Sequence, residues 1–362
     1  MNKTILFTLL LASFTSFGNE YSLTKVASNL ELPWGLQFTN EKTLLVTEKT
    51  GSVVELDIPT GNKNILLTIK DLSSKGQGGL MDIAVSPINS NQLYFSYSKP
   101  VTNGVATTLA TANYNDGKLT QWRDVLVTSA ASDTSRHFGS RIAFDSDNHL
   151  YLTLGDKGDR DNGQDTSNHA ASILRLNLDG SVPSDNPFIK DTNYASEIWS
   201  FGHRNPQGIT FDLESNTMWA IEHGPRGGDE INRIKRGKNY GWPITSHGKE
   251  YWGPISVGEA EEKEGIESPA LVYVPSIAPS SLVLYRGEVY PNLNGKLLAG
   301  ALKLTHINVI SIDDQLALKE ERRLFEDLNE RIRDITISPG GHIYFCTDNG
   351  NIYRIEPKIL ES

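Results

Sequence analysis

Four cations invite a chemical reading because the chain as a whole works against them: its 362 residues carry a formal net charge of −10. Arg204 stands in "HRNPQGITFD" (His203 to Asp212), Lys303 in "GALKLTH", and Arg331 with Arg333 in "ERIRD". The last two lie two apart in a stretch that reads as strand, so their side chains point the same way. Guanidinium forks suit carboxylates and phosphates, so a convergent set of such groups calls for an anion. The plainer alternative is that each pairs with a nearby acid, Arg333 with Asp334 or Glu330. His137, in "RHFG" behind Arg136, adds a proton acceptor: an imidazole beside cations stays neutral and suits a general base near pH 7. His149 and His342 sit in hairpin turns and read as structural, and His169, His247 and His306 carry no assignment. "EHGPRGGDE" (Glu222 to Glu230) forces an irregular backbone after a strand. The free carbonyls it leaves near acids are what a hard cation such as Ca²⁺ collects. "GDKGDRDNGQD" (Gly155 to Asp165) fails the EF-hand spacing and reads as a surface loop, with metal binding the lesser alternative. No zinc spacing, nucleophile elbow or phosphate loop is present.

The elements that must bring these residues together are short strands. "WGLQFTNEKTLLVTEKTGSVVELD", "LMDIAVSPINSNQLYFSYS", "SRIAFDSDNHLYLTLGDKG", "QGITFDLESNTMWAIEHGP" and "IRDITISPGGHIYFCTDNGNIYRIE" share one layout. Each is an alternating strand, a turn rich in Asp, Asn, Ser, Pro or Gly, and a second alternating strand. A looser sixth copy runs from "SSLVLYRGEVY" through "GKLLAGALKLTHINVISID". Six hairpin units with little helical periodicity predict an all-β fold, a six-bladed β-propeller of four-stranded antiparallel blades, because ring closure protects sheet edges. An open β-solenoid fits less well, given the unequal spacing. The strand at Tyr21 to Val26 is expected to complete the last blade. Propeller geometry then gathers the segments ahead of each repeat on one rim: Gln77, Arg136, His137, His203 to Asn205, Lys303, Arg331 and Arg333.

Composition bounds the rest. With 38% hydrophobic and 22% charged residues the chain is globular, and its acidity argues against nucleic acid as a partner. Lys3 followed by the apolar run Ile5 to Phe14 reads as a secretory signal over residues 1–18, too short for a membrane span. A single propeller domain over 19–362, in a periplasm and without a stable membrane anchor, is the expectation. The lone Cys346 permits no internal disulfide and alternates with Ile343 and Phe345 as a buried thiol.

The motifs "PWGLQF", "LLVTEKTG", "GQGGLMDIAV", "HFGSRIAFD", "GHRNPQGI", "EHGPRGGDEINRI", "NYGWP", "PSIAPS" and "RIRDI" occur in order from Pro33 to Ile335. The set resembles the soluble aldose sugar dehydrogenases that use pyrroloquinoline quinone (PQQ), relatives of soluble glucose dehydrogenase. The resemblance implies a six-bladed propeller, an aldose substrate oxidised at its anomeric hydroxyl, and His137 as the base. It implies that Gln77, Arg204, Asn205, Lys303, Arg331 and Arg333 hold PQQ, whose three carboxylates would be the anion the cations await. It further implies that the carbonyls of Gly224 and Pro225 ligate Ca²⁺, with Glu230 a further metal candidate. Arg136 departs from the acidic residue that precedes the base in the glucose dehydrogenases, and the loops are shorter. Both departures point to the broader aldose-oxidising branch and to a monomer; the electron acceptor is unassigned. A calcium-dependent lactonase or a non-catalytic propeller for an anionic ligand are the competing readings.

Overall fold

Alternation decides where each strand buries its side chains. In the strand Thr43–Glu48, Leu44 and Val46 join one apolar layer and Leu45 joins another. A strand covered on both faces must lie between two sheets, and this arrangement repeats around the molecule. The computed structural model describes residues 20–358, which form six four-stranded antiparallel sheets. The first strands of the blades are Pro33–Asn40, Leu80–Ser86, Ile142–Phe144, Pro206–Asp212, Pro279–Tyr285 and Ile332–Ile337. Each touches the first strand of the blade on either side, so the six line a central channel. Blades one to six are numbered from these strands.

Six apolar clusters fill the junctions between neighbouring blades. Between blades five and six, for example, Tyr285, Leu298 and Val309 pack on Ile335, Phe345 and Ile355. Cys346 is fully buried in the layer between blades six and one. The ring closes as expected: the strand Tyr21–Ala27 pairs antiparallel with Ile352–Pro357, so the N-terminal strand is the outermost of blade six. The proposed signal segment lies outside the described residues. No described helix is long and apolar enough to cross a membrane.

One side chain crosses the axis. Arg141 has five N–H donors and uses all of them. Nη1 donates to Asp82 at 3.2 Å and Asp334 at 3.0 Å. Nη2 donates to the carbonyls of Ser280 and Arg333, and Nε to that of Gln207. Asp334 in turn accepts from the Leu36 N–H. From the edge of blade three, Arg141 thus reaches blades two, four, five and six directly and blade one through Asp334. Burial pushes the carboxyls of Asp82 and Asp334 up, and the guanidinium between them works the other way. Below the plug a cavity of about 160 Å³ continues along the channel.

Candidate active site

Because the blades are antiparallel, the segment entering a blade's first strand and the loop leaving its second strand emerge at the same end. Gln77, His137, Arg204, Asn205 and Arg331 lie on entering segments. Lys49, Asp156, Gly224, Lys303 and Asp348 lie on loops after second strands. All ten therefore share one rim, with Arg333 just inside the first strand of blade six.

His137 is held from three sides. Its backbone sits at φ 55°, in the left-handed region that His adopts more readily than most residues. Its N–H donates to Gln77 Oε1 at 2.7 Å. The position over its carbonyl is kept clear by Gly155, where a Cβ would fall 2.2 Å from the His137 oxygen. The imidazole Nδ1 lies 2.6 Å from Asp156 Oδ1. A carboxylate partner fixes the proton on Nδ1 and leaves the Nε2 lone pair free. Asp156 is itself fixed: it accepts from the Gly158 N–H and, at 2.8 Å, from Trp242 Nε1, and its own N–H donates to the Arg204 carbonyl. Burial pulls the His137 pKa below its ordinary value; Asp156 acts upward against this, and Arg204 and Arg136 act downward. The ring is thus mostly neutral at neutral pH, as a general base requires.

The four cations divide into two kinds. Arg331 and Arg333 do point the same way, but both grip Asp348: Arg333 through Nε and Nη2 at 2.8 and 2.9 Å, Arg331 through Nε at 2.8 Å. The acid is neither of the two anticipated. Asp334 is taken by Arg141, and Glu330 accepts from Thr347, Asn351 and Tyr353. Arg333 is buried, with its guanidinium 4.0 Å from the Trp34 ring centroid, whereas half of the Arg331 side chain is exposed. The other kind has no acid partner among the described residues. Arg204 donates Nη1 to the carbonyls of His223 and Gly224, lies over the Trp242 ring, and keeps a buried Nε without an acceptor among the described residues. Lys303 is exposed. Lys49, which the sequence reading passed over, joins this rim: burial and Arg333 both lower its pKa.

Asn205 and Gln77 are braces as much as ligands. Asn205 Oδ1 accepts from the Gly139 N–H and from Gln207, which leaves only its amide donors for another molecule. Gln77 Oε1 is committed to His137. Gly224, Pro225 and Glu230 line one small cavity of about 20 Å³, together with Glu222 and Arg204. That volume holds a single water or a bare ion. Glu222 is engaged by His203, by the Arg204 N–H and by Asn232. Burial and the Glu222 charge push the Glu230 carboxyl well up. The lining carries the carboxylates of Glu222 and Glu230 and the hydroxyls of Thr245 and Ser246, oxygens that suit a hard cation, beside the nitrogen groups of Arg204, His223 and Trp242. Among the described residues no three His, Cys, Asp or Glu side chains converge at metal-binding distance, so such an ion would depend on carbonyls and one carboxylate.

Two expectations are corrected. The segment Gly155 to Asp165 is not simply a surface loop: Asp156 and Lys157 at its start are buried. The Lys157 ammonium sits 3.5 Å from the Phe138 ring centroid with no hydrogen-bond partner among the described residues, and burial lowers its pKa to about 7. His203, placed on the rim by its sequence position, is fully buried between Ser200 and Glu222 and stacked on Tyr240, out of reach of any ligand.

The six-bladed ring is the fold that the motifs suggested. The chain belongs to the glucose/sorbosone dehydrogenase family, which it matches over residues 30–354. It is 35% identical to the aldose sugar dehydrogenase YliI of Escherichia coli over 338 residues, 91% of each chain. The crystal structure of the soluble aldose sugar dehydrogenase of Escherichia coli in its apo form superposes with a TM-score of 0.89 at 33% identity, covering 93% of this chain and all of the other. The PQQ-bound aldose sugar dehydrogenase of Streptomyces coelicolor superposes with a TM-score of 0.76 at 25% identity, covering 94% and 99%.

Proposed function

We propose that the protein is a periplasmic, monomeric quinoprotein that oxidises the anomeric hydroxyl of aldoses to lactones. The observation that carries this reading is the His137–Asp156 pair, whose free Nε2 belongs to a rim rich in cations. Arg204 and Lys303, which have no acid partner among the described residues, and Arg331 and Arg333, poised on Asp348, supply the charge to hold the carboxylates of PQQ. The amide groups of Gln77 and Asn205 add hydrogen bonds. The carbonyls of Gly224 and Pro225, with Glu230, are the donors for Ca²⁺; Gly224 gives one lone pair to Arg204 and keeps the second. When bound, PQQ supplies the two-electron oxidant and Ca²⁺ the Lewis acidity, while the protein supplies orientation and charge.

The residues' own work is proton transfer and positioning. His137 Nε2 takes the proton of the anomeric hydroxyl as the two electrons leave the anomeric carbon with its hydrogen. The imidazolium so formed is stabilised by Asp156 through Nδ1–H. Asp156 keeps its place because Trp242 and the Gly158 N–H hold its oxygens.

His137→Asn tests the reading. Asn tolerates the left-handed backbone that Ala would strain, and it cannot accept the proton. Turnover with an aldose and a dye acceptor should fall about 10²–10⁴-fold, the usual worth of a positioned base, with PQQ affinity near that of the parent. Near-parental turnover would remove His137 from the chemistry.

A further inference from the structure

Arg136 stands directly before His137, and its backbone is clamped on both sides. The Ser135 carbonyl accepts from the Gln77 N–H at 2.7 Å, and the Thr134 hydroxyl donates to the Lys157 carbonyl. His137 is held in turn by Gln77 and Asp156. The Arg136 side chain runs along Gly158: a Cβ there would fall 2.2 Å from Nε and 3.1 Å from Cδ, so only glycine admits it. The guanidinium is exposed and within electrostatic reach of the imidazole, whose protonation it disfavours. It has no hydrogen-bond or acid partner among the described residues, although carboxylates are close along the chain. That of Asp156 is taken by His137, Gly158 and Trp242, and that of Asp159 caps the Asp161 N–H. Lys75, on the neighbouring segment that Gln77 ties to Ser135, is likewise exposed and unpaired among the described residues.

We propose that Arg136 binds an anionic group on the substrate, a carboxylate or phosphate at the exocyclic carbon of the sugar, so that acidic aldoses are preferred over neutral ones. This rests on the aldose-oxidising reading of His137. In a pyranose, the ring carbon that bears the exocyclic group is joined to the anomeric carbon through the ring oxygen alone. A hydroxyl on one and an anion on the other therefore share one edge of the ring, and two adjacent residues can serve them. A guanidinium offers the planar fork that a carboxylate or phosphate accepts, whereas a neutral sugar gives it only hydroxyls. The carboxylates of PQQ do not account for Arg136. The residues assigned to them, Arg204, Lys303, Arg331 and Arg333, belong to blades four to six, while Lys75 and Arg136 lie on the segments entering blades two and three. In a chain of net charge −10, two free cations at this side of the mouth reverse the local field and draw anions in.

The test compares glucose, glucuronate and glucose 6-phosphate on the PQQ- and Ca²⁺-reconstituted parent, Arg136→Gln and Arg136→Lys, using a small uncharged dye as acceptor under mildly alkaline conditions, where His137 is neutral. In the parent, kcat/KM should be about tenfold to a hundredfold higher for an acidic sugar than for glucose, the worth of one charge-assisted contact. Arg136→Gln should erase that preference through KM, with a loss on glucose several times smaller, and Arg136→Lys should keep part of it. Which acid is preferred separates carboxylate from phosphate recognition. A second readout needs no turnover. The methyl glycosides of glucuronate and of glucose 6-phosphate have no free anomeric hydroxyl. In calorimetry the preferred one should bind the parent more tightly than methyl glucoside does, and lose that advantage in Arg136→Gln. A parent that prefers neither acid to glucose, or a loss in Arg136→Gln that is equal on all three sugars, would overturn the proposal. If the parent oxidises no aldose, the aldose reading fails, and the calorimetry still decides whether Arg136 binds an anionic sugar.

Discussion

Asp156 decides how His137 behaves, and the pH profile exposes it. As the proposed base, the histidine must be neutral to act, so activity should be lost as pH falls through a pKa that burial has already lowered. Asp156 pulls that pKa upward; in Asp156→Asn it should drop further. The acid limb of kcat should therefore move to lower pH, while the plateau falls roughly 10²-fold or more because the Nδ1–H tautomer is no longer held. A limb that moves up, or a plateau that stays, contradicts the pairing. Lys157 is the second residue whose titration matters. Its pKa is about 7 in the fold against an ordinary 10.5, so between these values the unfolded chain binds a proton that the folded one does not. Stability then rises with pH across that window, and below it the full cost of burying the charge applies. Lys157→Met should raise the unfolding midpoint clearly at pH 6 and progressively less toward pH 10; an equal gain at both ends would contradict a buried, unpartnered amine. Neither residue was legible as such. Both sit in a Gly- and Asp-rich stretch whose composition imitates a solvated loop, and only the packing of Phe138 and Trp242 over it buries them.

The loops are short and tightly tied, so a single Cβ can misplace the proposed base. Gly155 has no special φ, yet its neighbours leave no room: a methyl group would meet the His137 carbonyl at 2.2 Å and Asn205 Oδ1 at 2.9 Å. Gly155→Ala should displace the His137 segment and lower kcat by about 10²-fold, the cost of roughly 1 Å of misplacement, with a smaller effect on PQQ affinity. A cofactor titration beside steady-state rates separates the two, and an unchanged kcat would show that the loop has slack. The repeats themselves were readable, because alternation and turn chemistry recur in every blade. The sequence also carried a signal for the missed rim residues. Lys49 in "TEKTG", Asp156 in "LGDKG" and Asp348 in "CTDNG" fall just after the second strand of their repeats, as Gly224 does in "EHGP" and Lys303 in "GALK". Aligning the repeats on their second strands would have placed them on one rim. What alignment could not supply is pairing, such as the choice of Asp348 over Glu330 by Arg331 and Arg333, which depends on the bulge between Ile332 and Asp334.

At the scale of the molecule, the ring depends on its axis. Arg141 stood unnoticed in "HFGSRIAFD", since one arginine in a strand says nothing of a channel formed by six blades. Removing it leaves Asp82 and Asp334 buried without their cation. Arg141→Met should cost about 3–5 kcal/mol in urea unfolding, as when one partner of a buried ion pair is lost. The cost should be smaller at pH 5 than at pH 8, because protonation discharges the stranded carboxyls, whose pKa values burial has raised. A loss that does not depend on pH would mean that the plug acts through shape alone. The same axis carries the Arg333 backbone, so the stability of the ring and the order of the cationic rim are linked. The account's central claim, that the rim of this ring oxidises sugars with a quinone, is tested most directly by reconstitution. Purified protein stripped with a chelator should reduce a dye with an aldose only after PQQ and Ca²⁺ are added together, and should form one equivalent of lactone per two electrons. Turnover that is driven by a nicotinamide and indifferent to PQQ would contradict it.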